Sequence, residues 1–448
     1  VLHRAAVVEQ LPAHLPAVTA VTCFLTGGGR FQPAGGPAGR TVGLGLALWF
    51  VFGAWTGLAC GQVGGVLRTG QLLTRGGESL AGRLEKLTEE GLTWQGEAAR
   101  NFPLADVVRW EFEGRRARLS RESPLVILAN GDLLAADVVR ADEEELALRW
   151  DRLTGLREFA IPLEAVRAVV FRQPTEGELL RDLWRRVEQA VPGADELVLQ
   201  NGDTLRGELK GVSDRELRLE GENAPGTLGR RGVLAVIFNP ELQDLPRLEG
   251  AGGLITLTDG SRLHVGGLRL IDGELLGCEA LCATPFEFPC AAVVSVQFLG
   301  QGCQPLSELE PVESEFTPFL AEDWPWRRDR NCLGQPFQLR GNCHATGLGV
   351  HSRQRLTYDL PGRAEAFVAT VGIDDSARGR GAVEFAVLVD DQPVWSSGVV
   401  RGRDEPRPVP RVSLKGARRL TLLVDFGPEA NVLDHADWCD AVLIGAPR

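Results

Sequence analysis

Apolar and polar residues alternate along most of the chain beyond residue 65, in short runs broken by Gly, Asn, Asp and Pro. Glu216-Leu217-Arg218-Leu219-Glu220 and Glu145-Leu146-Ala147-Leu148-Arg149 are typical. A period of two places apolar side chains on one face, and the flanking turn formers close each run, so the pattern predicts β-strands. From about Thr69 to Gly300 it recurs four times. Each copy opens on a strand and a glycine turn: Gly76-Gly77-Glu78, Asn130-Gly131-Asp132, Asn201-Gly202-Asp203 and Asp259-Gly260-Ser261. Each closes on an aliphatic strand ending in Phe, at 107–112, 166–171, 233–238 and 293–298. The closing Phe follows the turn glycine (Gly77, Gly131, Gly202, Gly260) by 35, 40, 36 and 38 residues. Asn-Gly and Asp-Gly supply the positive φ of a tight hairpin. The order of elements is that of a small SH3-like or Sm-like barrel. The copies are placed at 65–118, 119–173, 194–249 and 250–300. So short a unit has little core of its own, and adjacent copies are expected to pack in pairs or in a row.

The period changes once. Leu179, Leu180, Leu183, Trp184 and Val187 recur at helical spacing within 174–193, with Pro192-Gly193 as the stop. Thr175 and Glu178 are spaced for a capping box, and Trp184 is assigned to the core. Residues 301–330 are acidic and interrupted by Pro. They read as a linker, with Phe319, Trp324 and Trp326 packing on a neighbouring domain. Alternation resumes over 331–448, in strands such as 366–371 and 420–424. Several short strands at this spacing suggest a β-sandwich.

Residues 41–59 carry no charge, follow Arg40 and end in small residues before Cys60. They read as a secretory signal, or as an uncleaved membrane anchor, since the length suffices to span a bilayer. Cys60 raises a lipoprotein alternative, against which stands Gly57 where that pattern has Leu. Residues 1–40, rich in Pro and Gly, are expected to be a disordered tail. Export places the protein in the periplasm, on the cell surface or outside the cell.

Lys and Arg number 48 against 60 Asp and Glu, a net charge of −12, which argues against nucleic acid as a partner. Of nine Cys, seven lie beyond the leader, so one or two disulfides leave a thiol over. Cys278, Cys282 and Cys290 lack a fourth ligand at zinc spacing and read as small strand residues. There are six His, and no Gly-x-Ser-x-Gly, His-Glu-x-x-His or phosphate loop. Paired carboxylates fall at turns, where Asp serves the backbone. Once repeats and sandwich are assigned, no stretch remains for a catalytic domain, and the chain is not expected to be an enzyme.

Four blocks order the last hundred residues: Gly349 to His351 followed by Leu356 to Leu360; Phe367 to Asp375; Val383 to Trp395; and Asp434 to Ala441. In this order they resemble the NPCBM family of carbohydrate-binding modules. The departures are Asp391-Gln392 in place of an Asp-Gly turn, and Cys439 in place of a small residue. The resemblance implies a galactose-binding-like jelly roll and a glycan partner. The fold class is then mostly β: tandem small SH3-like or Sm-like barrel repeats, one inserted helix, and a jelly-roll sandwich at 331–448.

A sugar needs an aromatic face for its apolar side and planar polar groups for its hydroxyls. Trp438 and Trp395 are the candidate aromatics, with Asp437, His435, Asp375, Arg378 and Arg380 as polar partners. The competing reading packs both indoles in the sandwich, and the flanks Val394 and Ser396 favour it for Trp395. His351 is assigned a structural role, its ring bonding a carboxylate to join two strand ends. Asp374, Asp375 and Asp434 are the candidate ligands of a structural calcium. The expected function is an exported, non-catalytic glycan-binding protein of a bacterial cell envelope. The alternatives are an envelope scaffold that binds protein and an accessory module of a glycoside hydrolase system.

Overall fold

The computed structural model describes residues 69–150, 158–221, 226–244, 252–300, 302–319, 324–428 and 430–445. The leader and tail expected within 1–60 lie outside them. Among the described residues no helix is long and apolar enough to cross a membrane.

Residues 69–112, 125–170, 195–237 and 253–298 form four small β units of five strands each, except that in the second the second strand is split into Leu133–Leu134 and Asp137–Ala141. Gly77, Gly131, Gly202 and Gly260 sit at the first hairpin with φ of +90°, +89°, +87° and +88°. A single 3-10 turn precedes each closing strand, at Leu104–Asp106, Leu163–Ala165, Arg230–Gly232 and Cys290–Ala292. The closing strand then pairs antiparallel with its own opening strand, in the same register each time: Leu72 faces Trp110, Val126 faces Val169, Leu197 faces Val236 and Ile255 faces Val296. The long second strand serves both halves of a unit by bending. In Thr204–Val212 the bend is an irregularity between Leu209 and Gly211, and in Arg262–Ile271 one between Gly266 and Arg269. Alternate residues of these strands meet in one apolar core, with Trp94, Trp110 and Trp150 among its largest members.

The copies associate through the free edges of their closing strands. The second copy pairs with the third, Val169 opposite Val236, and the first with the fourth, Trp110 opposite Val296. The fourth residue of each closing strand thus faces the fourth residue of its partner, so each pair has approximate two-fold symmetry and buries two strand edges. Pairing of neighbours was expected. Closure of the first copy on the fourth is an addition that no local pattern encodes.

The one α-helix of the described residues, α1 (Gly177–Glu188), lays Leu180, Leu183, Trp184 and Val187 on the outer face of the second and third copies, against Ile127, Val170 and Ala235. The capping box does not form. Glu176 is the N-cap and no side chain caps the helix, which this apolar face holds in place.

The C-terminal sandwich has two sheets. The first runs Arg327–Arg328, Gly347–His351, His435–Gly445, Ala364–Ile373, Arg407–Ser413, with Cys303–Pro305 also paired to His435–Gly445. The second runs Glu313–Phe316, Gln354–Asp359, Arg419–Phe426, Ala382–Val389, Gln392–Arg401. The expected linker at 301–330 is therefore corrected: it contributes three strands, and the sandwich begins near residue 303. Phe319 packs on Phe426, with ring centroids 5.6 Å apart.

The sandwich docks firmly on the repeats. Val108 of the first copy packs with Cys303, Ala366, Val442 and Ile444. Arg109 pairs with Asp440, and Arg262 donates to the carbonyls of His344 and Ala345 at 3.2 and 3.0 Å. Cys278, Cys282, Cys303, Cys332, Cys343 and Cys439 form no disulfide, and all but Cys282 are buried.

Candidate functional site

Three of the four sequence blocks meet at one end of the first sheet. His351 ends one strand and faces His435, which begins the next; Ala436 in turn faces Ile373, the residue before Asp374. The aspartates gathered here bind the chain's own N–H and O–H groups. Asp374 Oδ1 accepts from Asn331 Nδ2 at 2.8 Å and from the Ser376 amide at 2.9 Å, and its Oδ2 accepts from the Gln338 amide at 2.9 Å. Asp375 accepts from the amides of Arg340 and Gly341 at 3.1 and 2.6 Å. Asp434 accepts from the Ser352 hydroxyl and, at 2.9 Å, from the Ala382 amide. Donors already face these oxygens, so the calcium set expected from Asp374, Asp375 and Asp434 is not assembled. Among the described residues no three His, Cys, Asp or Glu are arranged to hold a metal ion.

Two other expectations change. Trp438 is 1% exposed and stands edge-on to Phe385, 5.2 Å between centroids and 89° between planes, so it offers no face to a sugar. Asp437 is fully buried, and neither carboxylate oxygen meets a hydrogen-bond partner. Burial, and then the neighbouring charge of Asp374, push its pKa well up, and its place inside the fold keeps it from contact with a ligand. Trp395 lies half-buried on the second sheet, against the sandwich core. Arg378 and Arg380 are exposed on the turn that follows Asp375.

The histidines are structural neighbours. His351 Nδ1 lies 3.1 Å from its own chain at the Ser352 carbonyl, and His435 Nδ1 lies 2.8 Å from Ser376 Oγ. The aromatic partner at this site, missed in the sequence, is Trp324. Its ring stacks on His351 at 4.4 Å and 16°, and lies 5.9 Å from His435. The run Trp324-Pro325-Trp326, just ahead of the first block, was the available signal.

Trp324 opens onto a groove of about 700 Å³. One wall is Trp324, Pro325, Arg327 and Leu333 of the sandwich; the other is Glu176, Glu178, Arg181, Asp182 and Arg185 of the α1 region. Asp182 is engaged by Arg185 and by Arg186 at 2.6 Å, and Arg327 by Glu188. Arg181, Glu176 and Glu178 form no ion pair among the described residues. Burial first, then His351 and Arg181 against the opposing charge of Asp374, hold the His435 pKa at about 4. The groove thus combines a fixed indole with planar donors and acceptors, a set suited to the hydroxyls and apolar face of a neutral sugar.

Residues 303–444 match the family model described as the NPCBM/NEW2 domain. The C-terminal sandwich is an NPCBM domain. The alpha-1,3-galactosidase B of Akkermansia muciniphila is 35% identical to the chain over 117 residues, which are 25% of this chain and 15% of that protein. The chain therefore spans only a small part of this curated relative. A solved CBM51 module from the GH95 protein of Clostridium perfringens, in complex with methyl-galactose, is 27% identical and covers 32% of this chain and 99% of that chain, with a TM-score of 0.29. The tandem CBM51 modules of a family 98 glycoside hydrolase from Streptococcus pneumoniae are 14% identical and cover 72% of this chain and 88% of theirs, with a TM-score of 0.28.

Proposed function

We propose that the chain is an exported, non-catalytic glycan-binding protein whose NPCBM domain takes a neutral sugar in the groove between Trp324 and α1. The observation that carries this reading is the indole fixed on His351 at the edge of a groove lined by both guanidinium and carboxylate groups. Membership of the sandwich in a family of carbohydrate-binding modules supports it. The charge-free run at 41–59 behind Arg40 supports export to the cell envelope. Affinity for a single sugar is weak, because an open groove buries little of its ligand. The test is a glycan array probed with the full chain and with Trp324→Ala. Selective binding by the parent and its loss in the variant, at an unchanged melting temperature, is expected. A parent that binds no glycan at millimolar concentration overturns the reading.

A second reading is favoured by one comparison. A segment similar to this chain forms a small part of a galactosidase. The protein then serves as an accessory that holds glycan for a separate hydrolase, and hydrolysis of insoluble glycan by such an enzyme should rise when this chain is added.

A further inference from the structure

A second cavity, of about 380 Å³, lies between the repeats and the sandwich on the side of α1 that carries Trp184. Four guanidiniums line it: Arg167 of the second repeat, Arg262 of the fourth, and Arg328 and Arg330 of the sandwich, of which Arg328 pairs with Glu310 at 2.6 Å. Arg167, Arg262 and Arg330 pair with no carboxylate among the described residues. Arg262, 4% exposed, spends its donors on the carbonyls of His344, Ala345 and Asp329, and Arg167 donates to the Ala129 carbonyl at 3.3 Å. Arg330 lies over the Trp184 ring at 5.4 Å, with its Nη1 sealed from solvent and without a hydrogen-bond partner.

Two more polar atoms of the same wall are orphaned. Trp184 Nε1 and Ser307 Oγ are buried and meet no partner. Of the three, Arg330 Nη1 and Trp184 Nε1 can only donate, and the serine hydroxyl can donate as well. The acidic groups nearby are mostly committed. Asp132 is held by His264 at 2.6 Å, and Asp329 Oδ1 accepts the Gly347 amide at 2.9 Å. Glu308 stands exposed on the rim. Burial, and then repulsion from Arg262, push the Arg330 guanidinium well below its ordinary pKa; Arg167 adds to this, and Asp329 only partly opposes it. A buried cation among like charges costs stability unless an anion joins it.

We propose that this cavity binds a small oxyanion, a phosphate, a sulfate or a carboxylate, on Arg330, Arg167 and Arg262, with Trp184 Nε1 and Ser307 Oγ as further donors. The oxyanion supplies acceptors for the orphaned donors and charge for the unpaired guanidiniums. It would also lock the sandwich to the repeats, because its ligands come from both. This site is separate from the Trp324 groove.

The test is thermal unfolding and calorimetric titration of the full chain with sulfate and with phosphate, ionic strength being held constant with chloride. The parent is expected to gain melting temperature steadily with the logarithm of sulfate or phosphate concentration. Arg330→Met is expected to weaken binding about 10- to 100-fold, the loss of a hydrogen bond to a charged group. Without oxyanion, Arg330→Met should melt no lower than the parent, since repulsion is relieved, and the order should reverse at high sulfate. Arg167→Met should behave likewise, and Trp324→Ala should respond as the parent does. Glucuronate and galactose 6-sulfate identify the source. A response to inorganic ions assigns a free anion; a response to the sugar acids alone, kept in Trp324→Ala and lost in Arg330→Met, assigns the charged group of a glycan, and either supports the proposal. A parent that responds no more to sulfate, phosphate or the sugar acids than to chloride overturns it. So does an Arg330→Met chain equally destabilised at every concentration, which would reduce Arg330 to its contact with Trp184.

Discussion

The four hairpin glycines share one backbone conformation but not one environment, and this allows the cost of a turn to be separated from the cost of assembly. At Gly131, φ is +89° and a Cβ would meet nothing within 4 Å. At Gly202, with φ of +87°, it would meet the end of the Leu179 side chain at 2.8 Å. At Gly260, with φ of +88°, it would lie 2.9 Å from Leu119 N, Cα and Cβ. That segment cannot yield easily, because the Arg118 amide is bonded to the Thr258 carbonyl at 3.1 Å and Leu119 packs into the core between repeats and sandwich. Gly131→Ala therefore carries only the left-handed strain, about 1 to 2 kcal/mol, less a few tenths returned by the stiffer unfolded chain. Gly260→Ala adds overpacking against backbone, about 1 to 3 kcal/mol more. Gly202→Ala should fall between, since a leucine methyl can rotate away. Urea unfolding followed by fluorescence of the repeat tryptophans, at unchanged m, measures the order. Equal costs at Gly131 and Gly260 would refute the close approach of Leu119, and with it the packing of the link between the first two repeats on the fourth.

Trp438→Ala should destabilise the sandwich by about 3 to 5 kcal/mol, because it empties a core site, while Trp324→Ala should leave the melting curve nearly unchanged. A Trp438→Ala chain that melts like the parent would return that ring to the surface. Asp440 should titrate at about 2, because Arg109 and His344 outweigh the effect of burial. Arg109→Met should raise that value and cost about 1 to 3 kcal/mol at neutral pH, measured by urea unfolding, since it leaves a half-buried carboxylate short of a charge-assisted hydrogen bond. His435 titrates near 6.5 unfolded and at about 4 folded, so between these values the unfolded chain holds the extra proton. Stability is full above pH 6.5 and falls as pH drops toward 4, by about 3 kcal/mol from this group, and His435→Gln should flatten that slope. A His435 imidazole resonance that titrates above pH 6 would refute the assignment.

Much of the repeat architecture was legible because it is local. A glycine after Asn or Asp announces a positive φ, and an aliphatic run ending in Phe announces a strand with one face inward. The closure of the first copy on the fourth was not legible, since any closing strand offers the same free edge and the choice depends on where all four units lie. The strands within 303–330 were missed for a related reason. Glu313–Phe316 and Arg327–Arg328 are edge strands of four and two residues, too short for alternation to register, and their acidic and Pro-rich surroundings resemble a linker. Trp438 failed differently. In His435–Gly445 every residue but Asp440 is buried, because one face meets the second sheet and the other meets the repeats and the 331–343 segment. Alternation cannot separate inside from outside where both sides are covered.

Asp374, Asp375, Asp434 and Asp437, in the second and fourth blocks, read as a site in the sequence because acidic residues at strand ends can bind ligand. The oxygens of Asp374, Asp375 and Asp434 instead accept amides of Asn331, Gln338, Arg340 and Ala382, which fixes the rim of the sandwich. The blocks thus encode the module's frame, and the groove draws its chemistry from elsewhere. Its aromatic comes from the lead-in at Trp324, and its opposite wall comes from α1, which belongs to the repeats. A sandwich cut away from the repeats would keep the indole and lose Glu178, Arg181 and Asp182. Resemblance to a module family therefore bears on how this sandwich folds, while under the proposed function the ligand it selects depends on how the repeats hold α1 against it.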